Sequence, residues 1–218
     1  MSSRLHRISA LSGVLFIVLV VAGVFSSGNT PGTNASAATV RHFYLTHKSQ
    51  TNISALLTLL AVIAGLFFYG YLRAHFRRDA GNDWLASVFF GGAVVFGISG
   101  AIGAGVNTTL TDSTKSLSAS SIQLLNTLSQ DLNWPATCVG LAVLYLAAGC
   151  MIYRSGMFPR WLAWVSWVFA VLAASVVLSF VPFIGTAPWV VVVSVMLARR
   201  APALAAGAMP PSRVPAPV

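Results

Sequence analysis

Long apolar stretches alternate with short polar ones along most of the chain. A transmembrane helix needs about 20 predominantly apolar residues, and five of the stretches reach that length. The sixth is shorter and follows the segment V-P-F-I-G-T-A-P, whose prolines indicate a tight turn or an irregular helix start. The pattern predicts an all-α fold, a polytopic transmembrane bundle of about six membrane-spanning helices near residues 8–25, 53–72, 84–106, 134–153, 161–181 and 183–198.

Basic residues are distributed unequally between the polar stretches. Of the 13 Lys and Arg, all but Arg41, Lys48 and Lys115 lie before the first helix, after the second, between the fourth and fifth, or after the sixth. Short loops rich in Lys and Arg stay in the cytoplasm, so both termini are predicted to be cytoplasmic. An alternative is that the first segment is a cleaved signal peptide, because Arg4 and Arg7 precede it and an A-x-A sequence follows at 35–37.

The polar stretches differ in length and in pattern. Residues 107–133 begin polar and then place Ile122, Leu125, Leu128 and Leu132 near one helical face. This predicts an amphipathic helix that lies on the outer membrane surface or against the bundle. The Pro- and Ala-rich residues 199–218 predict a disordered cytoplasmic tail. Residues 1–198 are therefore predicted to form a single transmembrane helical domain.

Composition agrees with a chain whose solvent is mostly lipid. Only 8% of the residues are charged and the mean hydropathy is +0.80, whereas soluble domains carry about a quarter charged residues. The net charge of +9 is explained by clusters beside apolar runs, which contact anionic headgroups at the cytoplasmic face. No basic stripe is interleaved with aromatic residues, so no nucleic-acid partner is expected. The two cysteines provide neither a disulfide framework nor a zinc spacing.

The tetrapeptide Gly97-Ile98-Ser99-Gly100 resembles the segment in which rhomboid-type intramembrane proteases present a nucleophilic serine. A serine needs a base to take its proton, and none of the four histidines lies inside an apolar segment. No Lys, Asp or Glu lies inside one either. An intramembrane serine hydrolase at Ser99 is therefore kept as a remote alternative, and we expect neither an enzyme nor a bound cofactor.

Small residues recur along the third predicted helix. Ala93, Gly97, Ala101 and Gly105 are spaced every four residues. Small-xxx-small faces allow helix backbones to approach closely in lipid, where packing drives association. We therefore predict that this face packs the third helix against its neighbours.

A group of polar residues is predicted near the outer ends of the helices. The stripe His47, Thr51, Ser54 enters the second helix, while Asn107 and Asp131 lie near the ends of the third and fourth. Together they predict an outer-leaflet polar cup that could hold a headgroup or a small solute, although helix ends near water are ordinarily polar. His42 and His47 lack a third ligand, so no metal site is predicted.

The segment Y-L-A-A-G-C-M-I-Y-R-S-G-M-F-P-R-W-L-A-W at residues 145–164 resembles a motif of a bacterial family of six-helix integral membrane proteins classed as a domain of unknown function. The resemblance implies a cytoplasmic turn in which Gly156 caps one helix, Pro159 starts the next, and Arg154 and Arg160 lie at the headgroups. The chain has Ala163 where the family tends to have glycine. The resemblance implies a fold and a location in a bacterial cytoplasmic membrane, but it implies no activity and no catalytic residues.

Three functions remain open from the sequence. The first is a non-catalytic accessory or interaction protein with a membrane-protein partner, because catalytic and transport machinery are not recognisable. The second is a binder or permease for a lipid or a small uncharged solute that uses the polar cup. The third is the hydrolase at Ser99.

Overall fold

The computed structural model of the protein describes residues 3–77, 83–175 and 177–206. These residues form helices and turns and contain no β-strand. The helices are α1 (Ser3–Ser27), α2 (Ala37–Thr46), α3 (Lys48–Phe76), α4 (Asp83–Ser113), α5 (Ala119–Thr127), a π-helical segment (Leu128–Leu132), α6 (Asn133–Ser155), α7 (Arg160–Ala174) and α8 (Phe180–Ala206). The predicted all-α fold class is confirmed.

Six of these helices are arranged in a closed ring. Each packs against the next in chain order, α1 on α3, α3 on α4, α4 on α6, α6 on α7 and α7 on α8, and α8 packs back on α1. Buried aromatic and aliphatic residues fill the interior, among them Phe68, Phe89, Leu141 and Tyr145. We call the end that carries α2 and α5 the capped end, and the opposite end, where Arg73, Arg154 and Arg199 lie, the arginine end.

Four helical stretches are long and apolar enough to cross a membrane: Lys48–Phe76, Asp83–Ser113, Ala119–Ser155 and Phe180–Arg199. The apolar part of α1, Leu11–Ser27, and α7 are shorter. The 15 residues of α7 extend about 22 Å, less than the hydrocarbon core of roughly 30 Å. The chain is therefore a helical membrane protein, and the crossing of the membrane by all six helices remains a prediction.

Helix boundaries near the fifth and sixth predicted segments differ from expectation. The fifth helix ends at Ala174 rather than near residue 181, since Ser175 donates a hydrogen bond to the Leu172 carbonyl and accepts one from the Leu178 N–H. α8 begins at Phe180 and includes both prolines of V-P-F-I-G-T-A-P. Pro182 lies in the first turn, where a proline is tolerated. α8 also continues to Ala206, so the tail predicted from residue 199 begins as helix, and residues 207–218 lie outside the described residues.

The two longer polar stretches form a cap rather than open loops. Val40 and Tyr44 of α2 pack with Leu110 of α4 and Ile122 of α5, and all four side chains are fully buried. Tyr44 donates a hydrogen bond to Asn107 Oδ1 over 3.1 Å, and burial raises the pKa of Tyr44 to about 12, so the donor stays protonated at neutral pH. The amphipathic helix predicted in 107–133 thus packs against the bundle end and against α2.

Polar interactions tie the cap to the bundle. Arg41 donates to the Leu117 carbonyl over 2.6 Å, and Lys48 forms an exposed ion pair of 3.0 Å with Asp112. α4 extends past its predicted end at residue 106 to Ser113, and the Thr108 and Thr111 hydroxyls donate to carbonyls one turn earlier. Such bonds give a threonine hydroxyl a partner within its own helix.

α4 and α6 approach each other closely at Gly92 and Gly140. A Cβ atom on Gly92 would lie 2.6 Å from the Leu144 nitrogen and 2.9 Å from the Gly140 carbonyl oxygen. A Cβ on Gly140 would lie 2.6 Å from the Phe96 nitrogen. Here the backbones themselves touch, as small residues permit in membrane bundles.

The four residues of the predicted small-residue face differ in burial and in the neighbours that they contact. Ala93 and Gly97 are buried, and a Cβ on Gly97 would lie 3.2 Å from a Val62 methyl group of α3. Ala101 is half-buried, whereas Gly105 is exposed and has nothing within 4 Å of its Cβ position. Gly105 therefore takes no part in the packing, because the face turns away from α3 near the capped end.

The turn between α6 and α7 lies at the arginine end. α6 ends at Ser155, and Gly156 adopts a φ of 62°, the left-handed conformation that glycine accepts without strain. Its N–H donates to the Ile152 carbonyl over 3.2 Å. Pro159 directly precedes α7, and the Arg160 guanidinium lies over the Tyr153 ring at 6.0 Å.

Candidate functional site

A cavity of about 330 Å³ lies inside the bundle between α1, α3, α4 and α6. Its volume falls at the lower end of the range of roughly 300–1,000 Å³ that is usual for ligand sites. Along α3 its lining runs from Ser54 to Tyr69, which corresponds to about 22 Å of helix. The cavity is therefore elongated, and its long axis follows the bundle.

Small residues create this space. Gly97, Gly100 and Gly103 of α4 line one wall, and Gly65 of α3 and Gly23 of α1 line the others. A Cβ on Gly100 would meet only methyl groups of Val62 and Thr58, at 3.7 and 3.8 Å. Missing side chains on three helices thus leave room where larger residues would fill the core.

Polar side chains line the half of the cavity nearer the capped end. Ser54, Thr58, Asn107, Asn133 and Thr137 all contribute. The π-helical segment adds Ser129 and Gln130, and such segments occur frequently at functional sites. None of the described residues that line the cavity is charged or is a histidine. The surroundings therefore suit an uncharged molecule.

The half nearer the arginine end is apolar apart from one hydroxyl group. Phe16, Ala93 and Leu66 line it together with Tyr69. Tyr69 is 2% exposed, and its hydroxyl has no hydrogen-bond partner among the described residues. Asn133 Oδ1, in the polar half, is also buried without a partner. An unpaired buried polar group costs about 1–3 kcal/mol, so a ligand that reached either atom would be stabilised by the hydrogen bond.

Aromatic packing fills the bundle beyond Tyr69. The Tyr69 ring contacts Phe16 and Phe89 edge-on, with centroid distances of 6.1 and 5.8 Å. Phe76 packs next to Phe89 at 5.8 Å, and both side chains are fully buried. The lining of the cavity accordingly stops at Tyr69 and does not extend to the arginine end.

Two of the five residues predicted to form the polar cup line this cavity, and three do not. Ser54 donates to the Gly23 carbonyl over 2.8 Å, and Asn107 accepts from Tyr44. Thr51 is buried outside the lining, and Asp131 is exposed. His47 stacks on Phe43 of α2, with ring centroids 4.6 Å apart, because it lies at the junction between α2 and α3.

Tyr69 is one of the lining residues that the sequence reasoning missed. Ser54, Thr58, Gly65 and Tyr69 share one face of α3, at intervals of 4, 7 and 4 residues. The helical spacing of polar and small residues could have extended the predicted stripe to Tyr69. The signal was weak because a tyrosine inside an apolar run is usually a packing residue.

Ser99 of the G-I-S-G segment lies in the wall of the cavity near its middle and is 1% exposed. Its hydroxyl donates to the Phe96 carbonyl over 2.7 Å and lies 2.9 Å from the Thr137 hydroxyl. Among the described residues its hydrogen-bond partners include no histidine, lysine or carboxylate. Nor do three His, Cys, Asp or Glu side chains come together as a metal site in that part of the chain.

We expect Ser99→Ala to lower the free energy of unfolding by about 0.6 kcal/mol, the average for interhelical side-chain hydrogen bonds in a membrane bundle. Thr137→Val should cost a similar amount, and the double variant should cost less than the sum. Chemical unfolding in mixed micelles measures all three. Strictly additive costs would show that the two hydroxyls do not interact.

Apolar helices long enough to cross a bilayer, a ring of antiparallel helices and an uncharged internal cavity together define a helical integral membrane protein with an internal cavity. The family model described as Domain of unknown function (DUF4386) matches residues 11–206, and the chain belongs to that family. This confirms the resemblance to a family of unknown function. Searches among curated proteins and among solved structures found no match.

Proposed function

We propose that this protein binds an uncharged amphipathic small molecule or lipid within the membrane, in the cavity between α1, α3, α4 and α6. The observation that carries the proposal is the division of one uncharged cavity into a polar half and an apolar half. A neutral amphiphile matches both halves at once. A charged solute would have to leave water without an opposite charge to receive it, which is costly in a bilayer.

Binding is supported over passage across the membrane. A permease needs a polar path that continues to the other side, whereas the packing beyond Tyr69 consists of aromatic and aliphatic side chains such as Phe76 and Phe89. The accessory role predicted from the sequence is compatible with ligand binding and stays a prediction. The hydrolase at Ser99 gains no support from the contacts of its hydroxyl.

The proposed setting is a bacterial cytoplasmic membrane crossed six times, with the arginine end on the cytoplasmic side. The support is the antiparallel ring, in which α1 begins and α8 ends at the same end. Arg73, Arg154, Arg160 and Arg199 share that end and would contact anionic headgroups there. The polar half of the cavity, at Asn107 and the π-helical segment, would then belong to the outer half of the bilayer.

Filling the cavity tests the proposal. Gly100 lines the cavity and has room for a Cβ, whereas Gly105, on the same helix, faces open space. We expect wild-type protein and Gly105→Phe, purified from native membranes in mild detergent, to retain a neutral lipid or metabolite that mass spectrometry identifies. Gly100→Phe should lose at least about nine-tenths of it, because one phenyl ring fills much of a site this small.

The matched pair separates occupancy of the cavity from lipid bound on the outside of the bundle. Both variants add the same ring to the same helix, so a surface lipid would be retained by both. Equal retention in Gly100→Phe and wild type would contradict the proposal.

A further inference from the structure

The two unpartnered polar groups define the kind of molecule that the cavity accepts. We propose that its ligand is an elongated, uncharged lipid with a hydrogen-bond acceptor, such as a carbonyl oxygen, next to Tyr69 and a hydroxyl group next to Asn133. In this assignment Tyr69 is the residue that determines specificity. The inference rests on the proposed function and names the substrate class of the same cavity.

The Tyr69 hydroxyl group is a buried donor that needs a hydrogen-bond acceptor. Its side chain is 2% exposed, and its ring is held on three sides by Phe16, Phe68 and Phe89. The hydroxyl, however, has no partner among the described residues. A phenol in an apolar site donates its proton most favourably to a carbonyl or ether oxygen. An alkyl chain at this position would leave the donor unpaired.

Tyr145 provides the contrast within the same bundle. It is equally buried, and its hydroxyl donates to Thr186 Oγ1 over 2.8 Å. Nearby, the Trp189 indole N–H donates to Ser166 Oγ over 3.0 Å. Tyr145 and Trp189 thus have partners within the bundle, whereas the Tyr69 hydroxyl, on a residue of the cavity wall, has none among the described residues.

The buried Oδ1 atom of the Asn133 side chain needs a hydrogen-bond donor. Its Oδ1 atom is buried without a partner, and its Nδ2 atom would lie 2.8 Å from a Cβ on Gly103. The side-chain amide thus lies level with Gly103, among the hydroxyl groups of the polar half. A ligand hydroxyl serves either atom of an amide. A charged group is disfavoured because no lining residue carries an opposite charge.

The separation of the two groups sets the length of the ligand. Tyr69 lies between the levels of Phe89 and Ala93 on α4, and Asn133 lies level with Gly103. The helical rise places these levels about 15–20 Å apart. An extended chain gains about 1.2 Å per bond, so roughly 14 carbon atoms join the two polar ends.

Two tritiated probes test this in the full-length protein in detergent micelles. One is a straight-chain primary alcohol of about 14 carbons. The other has the same chain and hydroxyl group and carries a ketone at its far end. Each is titrated against wild type, Tyr69→Phe and Tyr145→Phe. The two variants each remove one buried hydroxyl and keep the ring, but only Tyr69 lines the cavity.

We expect wild type to bind the keto alcohol about three- to tenfold more tightly than the alcohol, the range for one net hydrogen bond. Tyr69→Phe should bind both probes equally and with the affinity that wild type has for the alcohol. Tyr145→Phe should keep the wild-type preference. Without ligand, Tyr69→Phe should be at least as thermally stable as wild type, because the hydroxyl that it removes is unpaired.

Equal affinity of wild type for the two probes, or a ketone preference that persists in Tyr69→Phe, would overturn the inference. Binding of the plain alcohol does not require Tyr69, so saturable binding of that probe supports the proposed function by itself. If neither probe binds wild type saturably, both proposals fail.

Discussion

Gly92→Leu should lower the free energy of unfolding by ~3 kcal/mol or more. Overpacking a core usually costs 1–3 kcal/mol when neighbouring side chains can move. At Gly92 the first added atom would meet the Leu144 nitrogen at 2.6 Å and the Gly140 carbonyl at 2.9 Å. Because both contacts are to backbone atoms, no rotamer change relieves them, and α4 and α6 must separate.

The measurement is thermal unfolding in detergent, and the fraction unfolded is read from the labelling of Cys138. This free thiol of α6 is 2% exposed in the folded protein. Gly91→Leu is the matched control, since a Cβ at the adjacent position has nothing within 4 Å. That change also replaces a helical glycine, which by itself favours the helix by up to ~1 kcal/mol. Similar unfolding temperatures for the two variants would contradict the close contact of α4 and α6.

Trp189→Ala should lower the free energy of unfolding by about 3–5 kcal/mol, the usual cost of truncating a buried tryptophan or phenylalanine. Trp189 is 3% exposed, and its ring packs edge-on against Tyr145 with centroids 5.5 Å apart. Its indole N–H also holds Ser166 of α7. The truncation therefore removes a side chain of α8 that contacts both α6 and α7, and it leaves a cavity in its place.

Trp161→Ala is the control, because that tryptophan is 51% exposed at the start of α7. We expect it to change the unfolding free energy by less than ~0.5 kcal/mol, as substitutions outside packed regions usually do. Chemical unfolding in mixed micelles compares the two. A Trp189→Ala variant as stable as the Trp161→Ala variant would show that the interior of the helix bundle around Trp189 is not tightly packed.

The course of the chain through the bundle could be predicted well from the sequence, because apolar length is what a bilayer requires. The second and fourth predicted helices, 53–72 and 134–153, lie within α3 and α6. Boundaries were less predictable where polar residues continue a helix. Lys48 begins α3 at its junction with α2, and α4 continues through polar residues to Ser113.

The contacts between helices could be predicted less well. The sequence indicated a small-residue face through Ala93 and Gly97, whereas the close approach of α4 to α6 uses Gly92, one residue before Ala93. One residue is a rotation of about 100° around the helix axis. In lipid both faces are equally apolar, so hydrophobicity does not reveal which of them meets α6. Gly140 and Tyr69 escaped notice for the same reason.

The sequence indicated that the candidate site is polar and lies near one end of the bundle, but it did not indicate which residues line it. Ser54 and Asn107 were recognised as polar groups near one end of the bundle, and both line the cavity. His47 and Asp131 were assigned to the same site, but α2 and the π-helical segment place them elsewhere. The positions of these short elements depend on the Val40, Tyr44, Leu110 and Ile122 cluster, whose residues are far apart in sequence.

The closed ring also has a consequence for biosynthesis. Chains emerge from the ribosome N-terminus first, so α1 can pair with α3 early while its contact with α8 must wait for the last helix. Phe183 of α8 lines the cavity with residues of α1, α3, α4 and α6. Until α8 is inserted, the growing chain is an open row of helices whose inner surface faces lipid. The cavity therefore closes only with the final helix, and a truncated nascent chain would hold every polar residue of the lining without enclosing it.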